Sequence, residues 1–328
     1  MAEIVQGFGV AHSTQLNMPV EYWLEMGEGD KRSTRLVGAD GAYHPYAELA
    51  AHVSPDVAKA LTPAEMNARH ARCQADIARI NQLVRDAAVD VLITVTDDER
   101  WLFTEGMFPT VYMHWGETIP YVPRIPENPT PMAASSLWAY SMEPVDFKGA
   151  PQLGEHVLTE LSDRGFDITQ GSGTPPGGSI GRPYGFVAAR VLGGNPNPPA
   201  ILPVIINASY RPNLITTRRA VELGEAIAAA VNTWGSDAKV GVLAVGNLSH
   251  PVLDEAMDQR LLQALGKKDM ATLRGLSQSY FSEGNGQFKT WMVAAAALNH
   301  LDMELLDYVA CYRSEGGTGC AMPFARWK

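Results

Sequence analysis

Apolar residues along the chain gather in short runs that stop abruptly on polar side chains. One run, from residue 4 to 10, ends near His12. A second, from 91 to 96 in "VDVLITVTDDERWLF", ends on Asp98 and Glu99. A third, "KVGVLAVGNLSH" (239–250), ends on His250, and "AILPVIINA" (200–208) is a fourth. Runs of this length, rich in Val and Ile, predict buried strands. Between them apolar positions recur near helical spacing. "TPAE" at 62–65 supplies Thr62 as N-cap, Pro63 at the first helical position and Glu65 to close a capping box, so a helix is predicted from there to about Ala88. Further helices are predicted over 216–234, capped by Thr216 or Thr217, and over "HPVLDEAMDQRLLQAL" and "FKTWMVAAAALNHL". Residues 118–200 hold much of the proline and glycine, including "GSGTPPGG" (171–178) and "GGNPNPPA" (193–200), and read as long, often functional loops. A helix feeding a buried strand is the α/β signature. The expected fold is therefore one α/β domain over 1–328, a central mixed sheet flanked by helices, with long Pro/Gly-rich loops over the site.

The strand ends carry the candidate chemistry. In α/β sheets the ligand crevice lies beyond the carboxyl ends of the strands. Two histidines and two carboxylates arriving there suit a metal or an acid–base site. Singly, each has a plain alternative: a hydrogen-bonded loop histidine, or a solvated turn at Asp98 and Glu99. Three polar strand ends together favour the site.

Composition narrows the partners. A formal net charge of −10 argues against nucleic acid or an anionic membrane surface. No stretch approaches the roughly 18–20 apolar residues that span a bilayer. The opening "MAEIVQGFGVAH" lacks a basic region and a long apolar core, so no signal peptide is expected. Cys73, Cys311 and Cys320 show no metal-ligand spacing and fit a reducing cytoplasm, the expected location.

Five segments in order carry a resemblance: "GVAHSTQL" (9–16), "VTDDER" (95–100), "PVIINASYRPNLITTRRAVELGEAI" (203–227), "VGNLSHPVLDEAMD" (245–258) and "GNGQFKTWMVAAAAL" (284–298). They resemble the LigB superfamily of class III extradiol ring-cleavage dioxygenases, which includes protocatechuate 4,5-dioxygenase catalytic subunits. The resemblance implies a single LigB-like domain and Fe(II) in a facial triad of two His and one Glu. That arrangement leaves positions open for catechol oxygens and O₂. It places His12 on the first iron ligand, His250 on the acid–base histidine and Asp98 on the aspartate before the second ligand. It also implies a small aromatic substrate, O₂, and a homo-oligomer or a heteromer with a related subunit.

The departures are specific. Asn-Asp-His of catalytic members reads Asp97-Asp98-Glu99 here, and the usual Glu four residues before a tryptophan reads Gln287 before Trp291. Relatives with Gln after the paired aspartates and Glu in the later motif make Glu99 and Gln287 read as a swapped pair. The expected metal ligands are thus His12, Glu99 and Gln287, with Glu283 an alternative to Gln287. One imidazole, one carboxylate and one amide oxygen make a weaker site than His₂Glu, so another divalent ion or none stands beside Fe(II). Arg182, in "GRPYGF", falls near a second active-site histidine and would favour an anionic aromatic. His114, in "VYMHWGE", is a further substrate-binding candidate, with plain packing as its alternative. Three functions follow: a ring-cleavage oxygenase using a non-heme metal, a non-catalytic partner subunit, or a metal-independent enzyme on the same fold.

Overall fold

The computed structural model describes residues 1–104, 106–174 and 178–328. Glu105 and the centre of "GSGTPPGG", 175–177, lie outside the described residues. Eight strands form one mixed sheet: β1 Glu3–Val10, β2 Val91–Thr96, β3 Val111–His114, β4 Thr169–Gly171, β5 Ala200–Ile206, β6 Lys239–Val245, β7 Met303–Tyr312 and β8 Gly319–Trp327. Their order across the sheet is β7-β8-β1-β6-β2-β5-β3-β4. The central β1, β6, β2 and β5 run parallel, and β8 and β3 join them antiparallel. Every residue of β2 and β5 is buried. That is why these strands read as unbroken apolar runs: a parallel sheet is covered on both faces.

Helices flank the sheet: α1 Glu21–Asp30, α2 Pro63–Ala87, α3 Pro151–Asp163, α4 Arg182–Phe186, α5 Thr217–Thr233, α6 Glu255–Gly266 and α7 Phe288–Ala297. Ile93, Val95, Leu202, Val204 and Val242 pack on one face, with the buried sides of α3, α5 and α7. Leu92, Ile201, Ile205 and Leu243 pack on the other, with Ile77, Ile80 and Val84 of α2. Gly9 lets α7 lie directly on β1, because a Cβ there would collide with the Trp291 ring.

The caps act as the sequence predicts. Thr62 accepts from the Glu65 amide and Thr216 from the Arg219 amide. The helix expected to continue from His250 starts later, at Glu255, where the Asp254 carboxylate accepts from the Met257 amide at 3.0 Å. Residues 118–200 are more ordered than a run of loops. They hold α3, α4 and a two-stranded ribbon of Thr118–Tyr121 with Val145–Lys148. Leu153, Val157 and Leu161 bury one side of α3. Among the described residues, no helix is long and apolar enough to cross a membrane.

Register places the site. Val10 pairs with Val245, and Ala244 with Val95. The residues that follow β1, β6 and β2 therefore leave the sheet side by side.

Candidate active site

Beyond those strand ends opens a crevice of about 610 Å³, whose walls include His12, Asp97, Glu99, Arg182, His250 and Gln287. β2 delivers Glu99 through a tight turn. Glu99 and Arg100 both take positive φ, 49° and 59°, a conformation that costs a non-glycine residue on the order of 1–2 kcal/mol. The Asp98 carboxylate holds the turn by accepting from the amides of Leu102 (2.8 Å) and Phe103 (2.8 Å). The turn aims Glu99 at Arg182 and His12. Its Oε1 lies 3.4 Å from His12 Nδ1, and its Oε2 accepts from Arg182 Nε at 2.8 Å and meets Nη2 at 2.6 Å. Gly181 makes this reach possible, because a Cβ there would press on the Asp98 carbonyl. Burial alone would raise the Glu99 carboxyl, but the Arg182 guanidinium and His12 outweigh it and hold the group well below the usual carboxylate range.

An amide network forms the floor. Asn247, two residues past β6, accepts from the His12 amide at 3.0 Å and donates to the His12 carbonyl and to Gln287 Oε1. Gln287 Oε1 also accepts from the Asn247 amide at 3.3 Å, and its Nε2 donates to Asp97 at 3.2 Å. Both lone pairs of the Gln287 oxygen are thereby used. Asp97 is 4% exposed, and burial, then the neighbouring Glu99 charge, pushes its carboxyl up to about 8.

Asp97 sets a pH dependence of stability. The fold keeps this proton to about pH 8, whereas an unfolded Asp loses it near 3.9. Between those values the folded state binds the extra proton, so stability falls as pH rises. Asp97→Asn removes that loss while leaving an acceptor for Gln287. Urea unfolding at pH 5 and pH 8 is expected to show the variant gaining about 2–4 kcal/mol on wild type over the interval. Parallel pH curves for the two proteins would count against a buried, protonated Asp97.

His250 also lines the crevice. Its Nδ1 lies 2.8 Å from the Leu248 carbonyl, which can only accept, so Nδ1 carries the hydrogen and Nε2 the lone pair. Burial lowers the ring to about 4, so near neutral pH it is an uncharged base. Ser249 and Asp258 brace the loop, the hydroxyl donating to the carboxylate at 2.6 Å.

Of the residues singled out from sequence, His12, Glu99, Arg182, His250 and Gln287 meet at the crevice. Asp98 is not on its wall: its carboxylate is turned inward to the Leu102 and Phe103 amides, which makes it a holder of the turn. His114 lies away as well. β3 runs antiparallel to β5, so its end lies by the amino ends of the parallel strands, opposite the crevice. There His114 accepts from the Gly116 amide at 3.2 Å, packs edge-on to Tyr112, and is lowered by burial to about 4. Glu283 is an exposed rim residue bonded to the Tyr43 hydroxyl at 2.7 Å. Sequence reasoning missed Asn247, whose signal was a polar residue just past a buried strand. It also missed Tyr140, which packs on His12 and under the Arg182 guanidinium from a segment without periodicity.

The donor set does not fit a divalent metal. Glu99 is taken by Arg182, and the Gln287 oxygen is saturated. His12 Nε2, buried and without a partner, is the one free donor of the three. Among the described residues, no group of three His, Cys, Asp or Glu is arranged to hold a metal ion. The same arrangement can hold an anion or a phenol. Arg182 spends N–H groups on Glu99 and on the Thr14 hydroxyl (3.1 Å), and its remaining donors are left for a ligand.

The family model described as the catalytic LigB subunit of aromatic ring-opening dioxygenase matches residues 46–322. The match takes in β2 through β7 with Glu99, Arg182, His250 and Gln287, and leaves β1 and His12 outside it. No curated protein matches the chain.

Proposed function

The chain belongs to the LigB family, whose model describes the catalytic subunit of aromatic ring-opening dioxygenase, and we propose that it is an enzyme acting on a small aromatic acid or phenol without a resident Fe(II). The family implies activity of the ring-opening dioxygenase type, with an aromatic substrate and O₂. The finer assignment concerns this chain's own residues. Arg182 anchors an acidic group of the substrate, His250 Nε2 takes a phenolic proton, and His12 Nε2 accepts a second hydrogen bond. Asp98 positions the turn that carries Glu99.

One observation supports this reading above the others: Glu99 already has a permanent cation as partner, with two guanidinium nitrogens within 2.8 Å of Oε2. A divalent ion drawn to Glu99 would have to sit against that fixed charge. At 4 Å two unit charges repel by about 4 kcal/mol in a surface-like medium. The guanidinium also suits planar carboxylate recognition.

Calorimetry on the whole chain tests the assignment, with 3,4-dihydroxybenzoate and with Fe(II) or Mn(II) as separate anaerobic probes. The aromatic acid is expected to bind with chelator present, and the metals no better than about 1 mM, the weak end for oxygen-ligand sites. Stoichiometric, tight Fe(II) binding, with the acid bound only to the metal-loaded protein, would overturn the proposal. Binding of neither probe would leave the partner-subunit reading in its place.

A further inference from the structure

The crevice holds a second guanidinium that the proposed chemistry does not use. Arg313, just past β7, lines it together with Gln15 and Met26. Gly27 of α1 lies against the Arg313 backbone, because a Cβ there would overlap the Arg313 carbonyl. That approach brings Asp30, the last residue of α1, within reach of the side chain. Arg313 Nε donates to Asp30 at 2.7 Å, Nη2 donates to the same carboxylate at 3.1 Å, and Nη1 donates to Gln15 Oε1 at 3.1 Å. Three of the five N–H groups are thereby committed and two remain. Asp30 itself is not on the crevice wall, so the crevice meets the cation and not its counter-charge. The charge is felt at the base: burial lowers the His250 ring, and Arg313 lowers it further. Arg182 repeats the arrangement. It engages a carboxylate through Nε and Nη2 and a hydroxyl through Nη1, with two N–H groups left over.

We propose that the two guanidiniums hold the two ends of a dicarboxylic acid, Arg182 taking one carboxylate and Arg313 the other. The inference rests on the anion-binding reading of Arg182 and names the ligand class more closely. Planar forks of this kind match carboxylates, and each bond they make to one is charge-assisted. Room is available. The crevice of about 610 Å³ is several times what a single ring needs, since an apolar cavity of about 150 Å³ already admits benzene. A monoacid at Arg182 would leave the remaining Arg313 donors to solvent, whereas a second carboxylate meets them with an opposite charge. His250 borders the same space, so a ligand held at both ends lies beside the base.

Calorimetry compares each diacid with a monoacid of similar shape: terephthalate with 4-methylbenzoate, isophthalate with 3-methylbenzoate, and adipate with hexanoate. The rigid pairs test two spans, and the flexible pair adapts to others. In wild type at least one diacid is expected to bind roughly 10- to 100-fold tighter than its monoacid, the gain from a second charge-assisted pair. Asp30→Asn combined with Arg313→Gln replaces the ion pair by two amides, so no buried charge is stranded. In that double variant the ratio is expected to fall close to one. Arg313→Lys keeps the charge without the fork and is expected to give an intermediate ratio. Arg182→Ala is expected to weaken both members of every pair. Ratios near one in wild type, with monoacids still bound through Arg182, would overturn the diacid reading and leave the anion site intact. A ratio that the double variant and Arg313→Lys both leave at its wild-type value would overturn Arg313 as the second anchor. Failure of every acid to bind would overturn the diacid reading together with the anion site it extends.

Discussion

Arg182→Ala is expected to weaken binding of an aromatic acid by roughly 10²-fold or more, the 2–5 kcal/mol lost when one partner of a desolvated charge pair is truncated. The same substitution strands Glu99. Its side chain is 15% exposed, and in the variant it faces only His12, at 3.4 Å. Breaking a fully buried pair costs about 3–5 kcal/mol; Arg182 is 34% exposed, so solvent screening brings the expected loss of stability nearer 2 kcal/mol. The pH dependence identifies the cause. In wild type the Glu99 carboxyl is held low, so its contribution is complete above the unfolded value near 4.3 and fades only as pH falls toward the depressed folded value. In the variant, burial acts without the guanidinium, and protonating Glu99 relieves the strain. The stability gap between the two proteins is therefore expected to be widest near neutral pH and to narrow as pH falls through the variant's burial-raised Glu99 value toward the depressed wild-type one. Urea unfolding at pH 7 and pH 4 measures the gap, and calorimetry at pH 7 measures the ligand. Arg182→Lys should restore much of the stability and less of the binding, because an ammonium cannot serve Glu99 and a ligand with a planar fork. Unchanged affinity in Arg182→Ala would remove Arg182 from the site.

What the sequence disclosed, and what it hid, follows from the range of the interactions involved. β2, β5 and, after Lys239, β6 were legible because strands buried on both faces read as apolar runs, and β1 through its buried last four residues. The caps at Thr62 and Thr216 were legible because the bonds they make span three residues. Partnerships across the fold were not. That Glu99 would meet Arg182, 83 positions away, is decided by the Gly181 approach and the left-handed turn after β2. The pattern "DDE" showed charge at a strand end without showing which carboxylate turns in. Asp98 faces the backbone, Asp97 is buried against Gln287, and only Glu99 meets Arg182 and His12. His114 misled because its aromatic neighbours resembled a pocket lining, whereas β3 runs opposite to the strands whose ends form the crevice. Glu99 and Gln287 were legible as candidate residues, but what holds the Glu99 carboxylate required the third residue, Arg182.

His250→Ala is expected to lower turnover by roughly 10²–10⁴-fold, the usual range for a positioned acid–base group. The geometry supplies the reason: Nδ1 is committed to the Leu248 carbonyl, and the ring, lowered by burial to about 4, keeps its Nε2 lone pair at all ordinary pH values. A base must be unprotonated to act, so kcat/KM is expected to rise with pH through about 4 and to be level by pH 6, where an ordinary histidine near 6.5 would still be mostly charged. The fold should follow the same group. Below about 6.5 the unfolded chain takes up a proton that the folded His250 refuses, so wild type loses stability as pH falls from 6.5 toward 4, and His250→Ala loses less. A chromophoric phenol such as 4-nitrocatechol separates proton abstraction from turnover, since its absorption changes when it ionises. Wild type should bind it as the phenolate at a pH below its solution value, the anion favoured by Arg182 and its proton relayed through His250 Nε2 to solvent, and His250→Ala should ionise it more slowly. Should the variant ionise the bound phenol as fast as wild type, with the acid limb of the rate profile in place, the base is another group. His250 would then be a residue that ties the loop after β6 to its own Leu248 carbonyl and to Asn285, whose side chain accepts from its amide at 2.9 Å.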